Sequence, residues 1–185
     1  MIILNNKQRI LWITRTAILI ALLVVWQAAS APLGNTLITG SVVNLLLIVS
    51  VMTCGLASGL TVAAVSSIMA KLLGIGPLWA LIPFMIAGNI TLILLWHFIG
   101  NRNIGGKKYV SYISALIVAA VSKFLVLYIG IVRIAIPVLL ALPEKQAAAI
   151  SSIFSVSQLF TASVGGVLAI ILLPRLKKAI EGGQE

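Results

Sequence analysis

The stretch NRNIGGKK, Asn101-Arg102-Asn103-Ile104-Gly105-Gly106-Lys107-Lys108, separates two long apolar tracts, and its reading decides the fold. It holds three basic residues, no acid and two glycines. Short loops of this kind stay on the cytoplasmic side of a membrane. Two further basic clusters stand near the ends of the chain, Lys7/Arg9/Arg15 and Arg175/Lys177/Lys178. If all three clusters share one side, an even number of spans separates each pair. Residues 10–100 offer about 90 positions. Four spans of roughly 23 residues fit that length, because crossing the hydrocarbon takes about 20. Two spans would each be roughly twice as long as needed. Residues 109–174 provide room for two more spans and an outer loop.

The reading is an all-α membrane protein with six transmembrane helices in a single domain, residues 1–185, both termini cytoplasmic. The expected spans are 10–31, 40–54, 57–75, 78–100, 109–133 and 149–173. Pro32, Gly34 and Gly40 break the chain after the first span. Gly55 and Gly59 mark a tight hairpin, and Gly74, Gly76 and Pro77 the next turn. Pro137 and Pro143 fall in the expected outer loop, and Pro174 is expected to stop the sixth span. The second span looks short enough to be tilted or partly re-entrant. The apolar run beginning near residue 10 continues to about Ala31, longer than the core of a cleaved signal.

Composition agrees. Hydrophobic residues make up 61% of the chain and charged residues 9%, against about 25% charged in soluble domains. The excess of 13 basic over 3 acidic residues sits mainly at the ends of apolar runs, where it sets topology. The acids are Glu144, Glu181 and Glu185, none inside an apolar run. Proton or sodium coupling ordinarily requires an intramembrane carboxylate, so neither is expected, nor is a metal site. Cys54 is the single cysteine, so no internal disulfide can form. The segment Gly55-Leu56-Ala57-Ser58-Gly59 has the spacing of a serine nucleophile turn, but the only histidine, His97, stands on another helix and no acid could orient it. No phosphate-binding glycine loop with a following lysine is present. The chain is therefore expected to be no enzyme and to hold no cofactor.

Polar residues inside apolar spans need a reason, since facing lipid is costly. Lys123 is the sharpest case. It lies about two-thirds of the way outward along span five, where a lysine near mid-membrane costs about 2.5–3.5 kcal/mol. It either snorkels to the outer interface or lines a wet pocket and meets an anionic ligand. Asn44, Lys71, Asn89 and Gln158 reach similar depth from four other spans. Singly, an Asn or Gln there serves as interhelical glue; together they favour a pocket. Trp12, Trp26, Trp79 and Trp96 sit near expected interfaces, as aromatic belts do, and Trp79 could also stack on a ligand at the outer mouth. Gly55, Gly59, Ala63 and Ser67 recur every four residues on one face of span three, which suits close helix packing. Ala17 and Ala21 repeat that spacing in span one, for internal packing or for docking a partner subunit.

Taken together, Leu37-Ile-Thr-Gly-Ser-Val-Val-Asn44, Gly55 through Gly74, Pro83-Phe-Met-Ile-Ala-Gly-Asn89, the surroundings of Lys123, Phe154-Ser155 and Gln158 through Lys178 resemble the substrate-binding S components of energy-coupling factor (ECF) transporters, the vitamin and micronutrient importers of prokaryotes. The resemblance covers nearly the whole chain. The chain departs from it at Ser67 and Ser157, where relatives often carry proline, and at Lys71, where an apolar residue is expected. The resemblance implies a plasma-membrane subunit that binds a solute from outside. It implies a transmembrane coupling subunit, docked through Ala17 and Ala21, and two cytoplasmic ATPases that use the ATP. Asn44, Lys71, Trp79, Asn89, Lys123 and Gln158 are the candidate substrate-binding residues, and two lysines without acids suit an anionic solute. The alternative is a structural membrane protein of the rod-shape-determining D type, which needs packing but no pocket.

Overall fold

A computed structural model describes residues 6–72, 74 and 78–182. Gly76, Pro77 and Glu185 lie outside the described residues. The described chain is all-helical: α1 (Asn6–Ser30), α2 (Thr36–Cys54), α3 (Leu56–Leu72), α4 (Ile82–Gly100), α5 (Lys108–Leu127), α6 (Glu144–Ile153) and α7 (Val156–Gly182). Five helical stretches are long and apolar enough to cross a membrane, those holding α1, α2, α4, α5 and the α6–α7 pair, and α3 is a shorter apolar helix. This is compatible with a multi-pass membrane protein. Large apolar side chains such as Ile18, Leu22, Ile117, Val121 and Ile171 point outward from the helices. Lipid removes the cost that water would impose on them.

Local chemistry explains the boundaries. The Asn35 side chain caps α2, accepting hydrogen bonds from the backbone N–H groups of Leu37 and Ile38 at 3.1 and 3.2 Å. Gly55 alone joins α2 to α3, with φ at +88°, a conformation that costs a residue with a Cβ. The doubtful span proves to be the third, not the second. Helix α2 has 19 residues and α3 has 17, so α3 extends only about 25 Å.

Three expected boundaries need correction. Span five does not end at Arg133: the helix continues beyond Leu127 to Leu140 with wider, π-type hydrogen bonding that carries Pro137 within it. Arg133 then packs its guanidinium 5.4 Å from the Tyr128 ring. The expected sixth span, 149–173, is two helices, α6 and α7, parted at Phe154 and Ser155. Pro174 does not stop α7, which runs on to Gly182.

The larger of two core clusters runs through α1, α2, α3, α4, α5 and α7, and the smaller lies where α6 and the end of the fifth helix meet Leu81. In α3, Gly59, Ala63 and Ser67 are all buried, so the small-residue stripe serves internal packing. Ser58 is fully buried too, and its hydroxyl lies 2.8 Å from that of Thr16 on α1. Trp96 is not an interfacial tryptophan: it has no exposed surface and sits 6.1 Å, centroid to centroid, from Tyr112. Ala17 and Ala21, by contrast, face outward, so the internal-packing reading does not hold for them.

Thr16 against Ser58 and Trp96 against Tyr112 gather the first half of α1, the α2–α3 turn and the α4–α5 loop at one end of the bundle. Arg9, Arg15, Arg102, Lys107 and Lys108 belong to that end. The opposite end is formed by the close of α1 and α3, the starts of α2, α4 and α7, and the short helix α6.

Candidate functional site

At this opposite end, a cavity of about 390 Å³ opens between the helices. Its walls come from the end of α1 (Gln27, Ser30), the start of α2 (Thr39, Val43, Asn44), the end of α3 (Ser66, Ser67), the start of α4 (Met85, Asn89), the end of α5 (Lys123, Leu127) and the α6–α7 junction (Ile153, Phe154, Gln158).

Lys123 is 97% buried, with 3% of its surface exposed, and does not snorkel. Its ammonium donates to Asn44 Oδ1 at 2.5 Å and to Asn89 Oδ1 at 2.7 Å. Each asparagine is held in turn. Asn44 Nδ2 donates to Thr161 Oγ1 and Asn89 Nδ2 to Ser67 Oγ, both at 3.3 Å. One chain of hydrogen bonds, Thr161–Asn44–Lys123–Asn89–Ser67, therefore ties α7, α2, α5, α4 and α3 together. Amide oxygens are strong acceptors but carry no charge. An ammonium has three donors, of which the asparagines take two. No acid stands among the described residues that line the cavity.

The depth of the site follows from the helix register. Asn44 lies eight residues into α2 and Asn89 seven into α4, so the Lys123 ammonium sits roughly 10–12 Å below the helix ends. Gln27 is three residues from the end of α1, hence only about 4–5 Å down. Its Oε1 is buried and has no hydrogen-bond partner.

Of the six candidate residues, Asn44, Asn89, Lys123 and Gln158 line the cavity. Gln158 Nε2 donates to the backbone oxygen of Ile153, bracing the α6–α7 break. Lys71 and Trp79 do not line it. Lys71 stands one turn beyond Ser67, about 6 Å further along α3, which carries it to the rim. There its ammonium lies 5.9 Å from the ring of Trp79, which is itself exposed. These two form a cation–π pair with each other. Replacing Lys71 with methionine is accordingly expected to change solute affinity less than about twofold, a rim charge being worth little, as titration of the purified protein would show.

Sequence reasoning missed Ser67 and Thr161, which anchor the asparagines, and Gln27, Ser30 and Thr39 at the rim. His97 is not among the residues that line the cavity. Its Nδ1 lies 3.3 Å from Asn101 Nδ2, and its ring stands edge-on to Phe98. Among the described residues, no group of three or more His, Cys, Asp or Glu side chains could hold a metal. Cys54 touches the Thr53 hydroxyl at 3.5 Å.

The described residues of the cavity present amide, hydroxyl and ammonium groups beside an apolar surface. No family model, no curated protein and no solved structure matches the chain.

Proposed function

We propose that the chain is the solute-capturing S subunit of an ECF-type importer for a vitamin or related micronutrient in a prokaryotic plasma membrane. The observation that carries this reading is the cavity with Lys123 at its floor: a buried ammonium, held by two neutral oxygens, beside space for a small molecule. A scaffold of the rod-shape-determining D type would need no such space. The basic clusters at the other end favour placing that end in the cytoplasm and the cavity on the outside. Solute enters from outside and settles on the polar floor. Release inside depends on a transmembrane coupling subunit and two ATPases, which supply the ATP hydrolysis that this chain has no motif to perform.

The outward-facing Ala17 and Ala21 suit contact with the coupling subunit, since small residues let helix backbones approach. Exposed Ile13 and Ile18 lie next to them on α1. Replacing both alanines with leucine is expected to weaken assembly by about tenfold or more, roughly 1.4 kcal/mol, while solute affinity stays within about twofold. Copurification of the coupling subunit measures the first, and titration the second.

The decisive experiment is reconstitution of the chain with such a coupling subunit and its ATPases in proteoliposomes. ATP-dependent solute accumulation that requires this chain is the expected result. A chain that neither copurifies with them nor retains any solute would be a structural membrane protein instead.

A further inference from the structure

We propose that the cavity takes a small monocarboxylate, its carboxylate on Lys123. This deepens, and rests on, the solute-capture reading.

The charge of the cavity sets the charge of its occupant. Lys123 is the single ionisable side chain among the described residues that line it. A buried charge is tolerated when it is paired and hydrogen-bonded. Asn44 and Asn89 supply hydrogen bonds but no negative charge, and one ammonium donor remains for the occupant. One negative charge completes the site. A phosphate monoester would bring a second charge into surroundings with nothing to offset it. A cation would meet the ammonium with no acid between them. A neutral solute would leave the lysine as it is.

Met85, Leu127, Ile153 and Phe154 line the same cavity and offer apolar surface to the body of the molecule. At roughly 30 Å³ for each water-sized unit, the 390 Å³ cavity holds about 13 such units, which suits a solute of roughly 10–15 non-hydrogen atoms.

The test uses the full chain in lipid nanodiscs, incubated with a deproteinised small-molecule cell extract, washed and denatured. Mass spectrometry then identifies the compounds released. The wild-type protein is expected to release a monocarboxylate of this size. The recovered acid should bind at least about thirtyfold more tightly than its primary amide, as expected for loss of a buried charge pair. Lys123→Met should release none, with thermal melting reporting its folding. The comparison of acid with amide on the wild-type protein keeps the proposal testable if that variant fails to fold. Release of a phosphate ester, a cation or an uncharged compound overturns the proposal and leaves solute capture standing. An amide that binds as tightly as the acid overturns it too. Recovery of no solute at all overturns the capture reading, and this proposal with it.

Discussion

Gly165→Ala is expected to lower the melting temperature of the purified protein by roughly 2–12 °C, following a loss of about 1–3 kcal/mol from overpacking. A Cβ at residue 165 would stand 2.6 Å from the backbone oxygen of Ser41, 2.7 Å from Asn44 Cβ and 2.9 Å from the backbone nitrogen of Leu45. Two of these three atoms are backbone and cannot rotate away. Helices α2 and α7 must therefore separate, and the core they share opens. Gly166→Ala provides the comparison. There the nearest atoms belong to the Leu116 side chain, which can change rotamer, so the loss should be clearly smaller. Equal melting of the two variants would mean that α2 and α7 do not approach backbone to backbone. The same change bears on the cavity. Asn44 is displaced with α2, and its bond to Lys123 with it, so Gly165→Ala should also weaken solute binding although residue 165 does not line the cavity.

The number of apolar tracts was legible because hydrophobicity and charge are local. Each tract ends at glycines, prolines or basic residues whatever its neighbours do. Pro137 and Pro174 misled for a physical reason. In water a proline ends a helix, since the freed backbone groups turn to solvent. Pro137 sits instead in a stretch of wider, π-type hydrogen bonding, a local adjustment that accommodates the ring, and α7 carries Pro174 within it. Trp96 misled because its burial depends on Tyr112 and on the space left by Gly166, which belong to other helices.

The candidate site was legible in part for a related reason. Depth can be counted along a helix, and Asn44, Asn89 and Lys123 stand out as polar residues deep in apolar tracts. The direction in which a side chain faces depends on how each helix is rotated against its neighbours. Lys71 shares its tract with Ser67 but lies one turn too far along, so it meets Trp79 instead. Ser67 stood out only as a small residue in a packing stripe and Thr161 not at all, because a serine or threonine in a helix ordinarily bonds its own backbone. Both do so here, to Ala63 and Gln158, while also accepting from the asparagines. Gln27, Ser30 and Thr39 lie near helix ends, where polar residues are common and single out nothing.

Replacing Lys123 with alanine is expected to abolish measurable solute binding, a loss of about 2–5 kcal/mol or roughly thirtyfold to several thousandfold, while the protein still folds. Two opposing effects decide the stability. Removing the ammonium leaves Asn44 Oδ1 and Asn89 Oδ1 without their donor, at up to about 1–3 kcal/mol each. It also removes a cation whose presence near mid-membrane costs about 2.5–3.5 kcal/mol on insertion scales. Both oxygens adjoin the cavity, where water can replace the lost donor. The near balance of these quantities predicts a melting temperature within a few degrees of wild type, with binding gone. A purely structural role for the Thr161–Asn44–Lys123–Asn89–Ser67 chain predicts the reverse. Five helices would lose their common tie, melting would fall sharply, and uptake would decline only as far as the folded fraction declines. Measuring melting and solute affinity on the same Lys123→Ala preparation separates the two. Asn89→Leu sharpens the contrast, since it keeps the ammonium but removes one of its two acceptors and the link to Ser67. That variant should destabilise the protein more than Lys123→Ala does, because it leaves the buried charge less well satisfied.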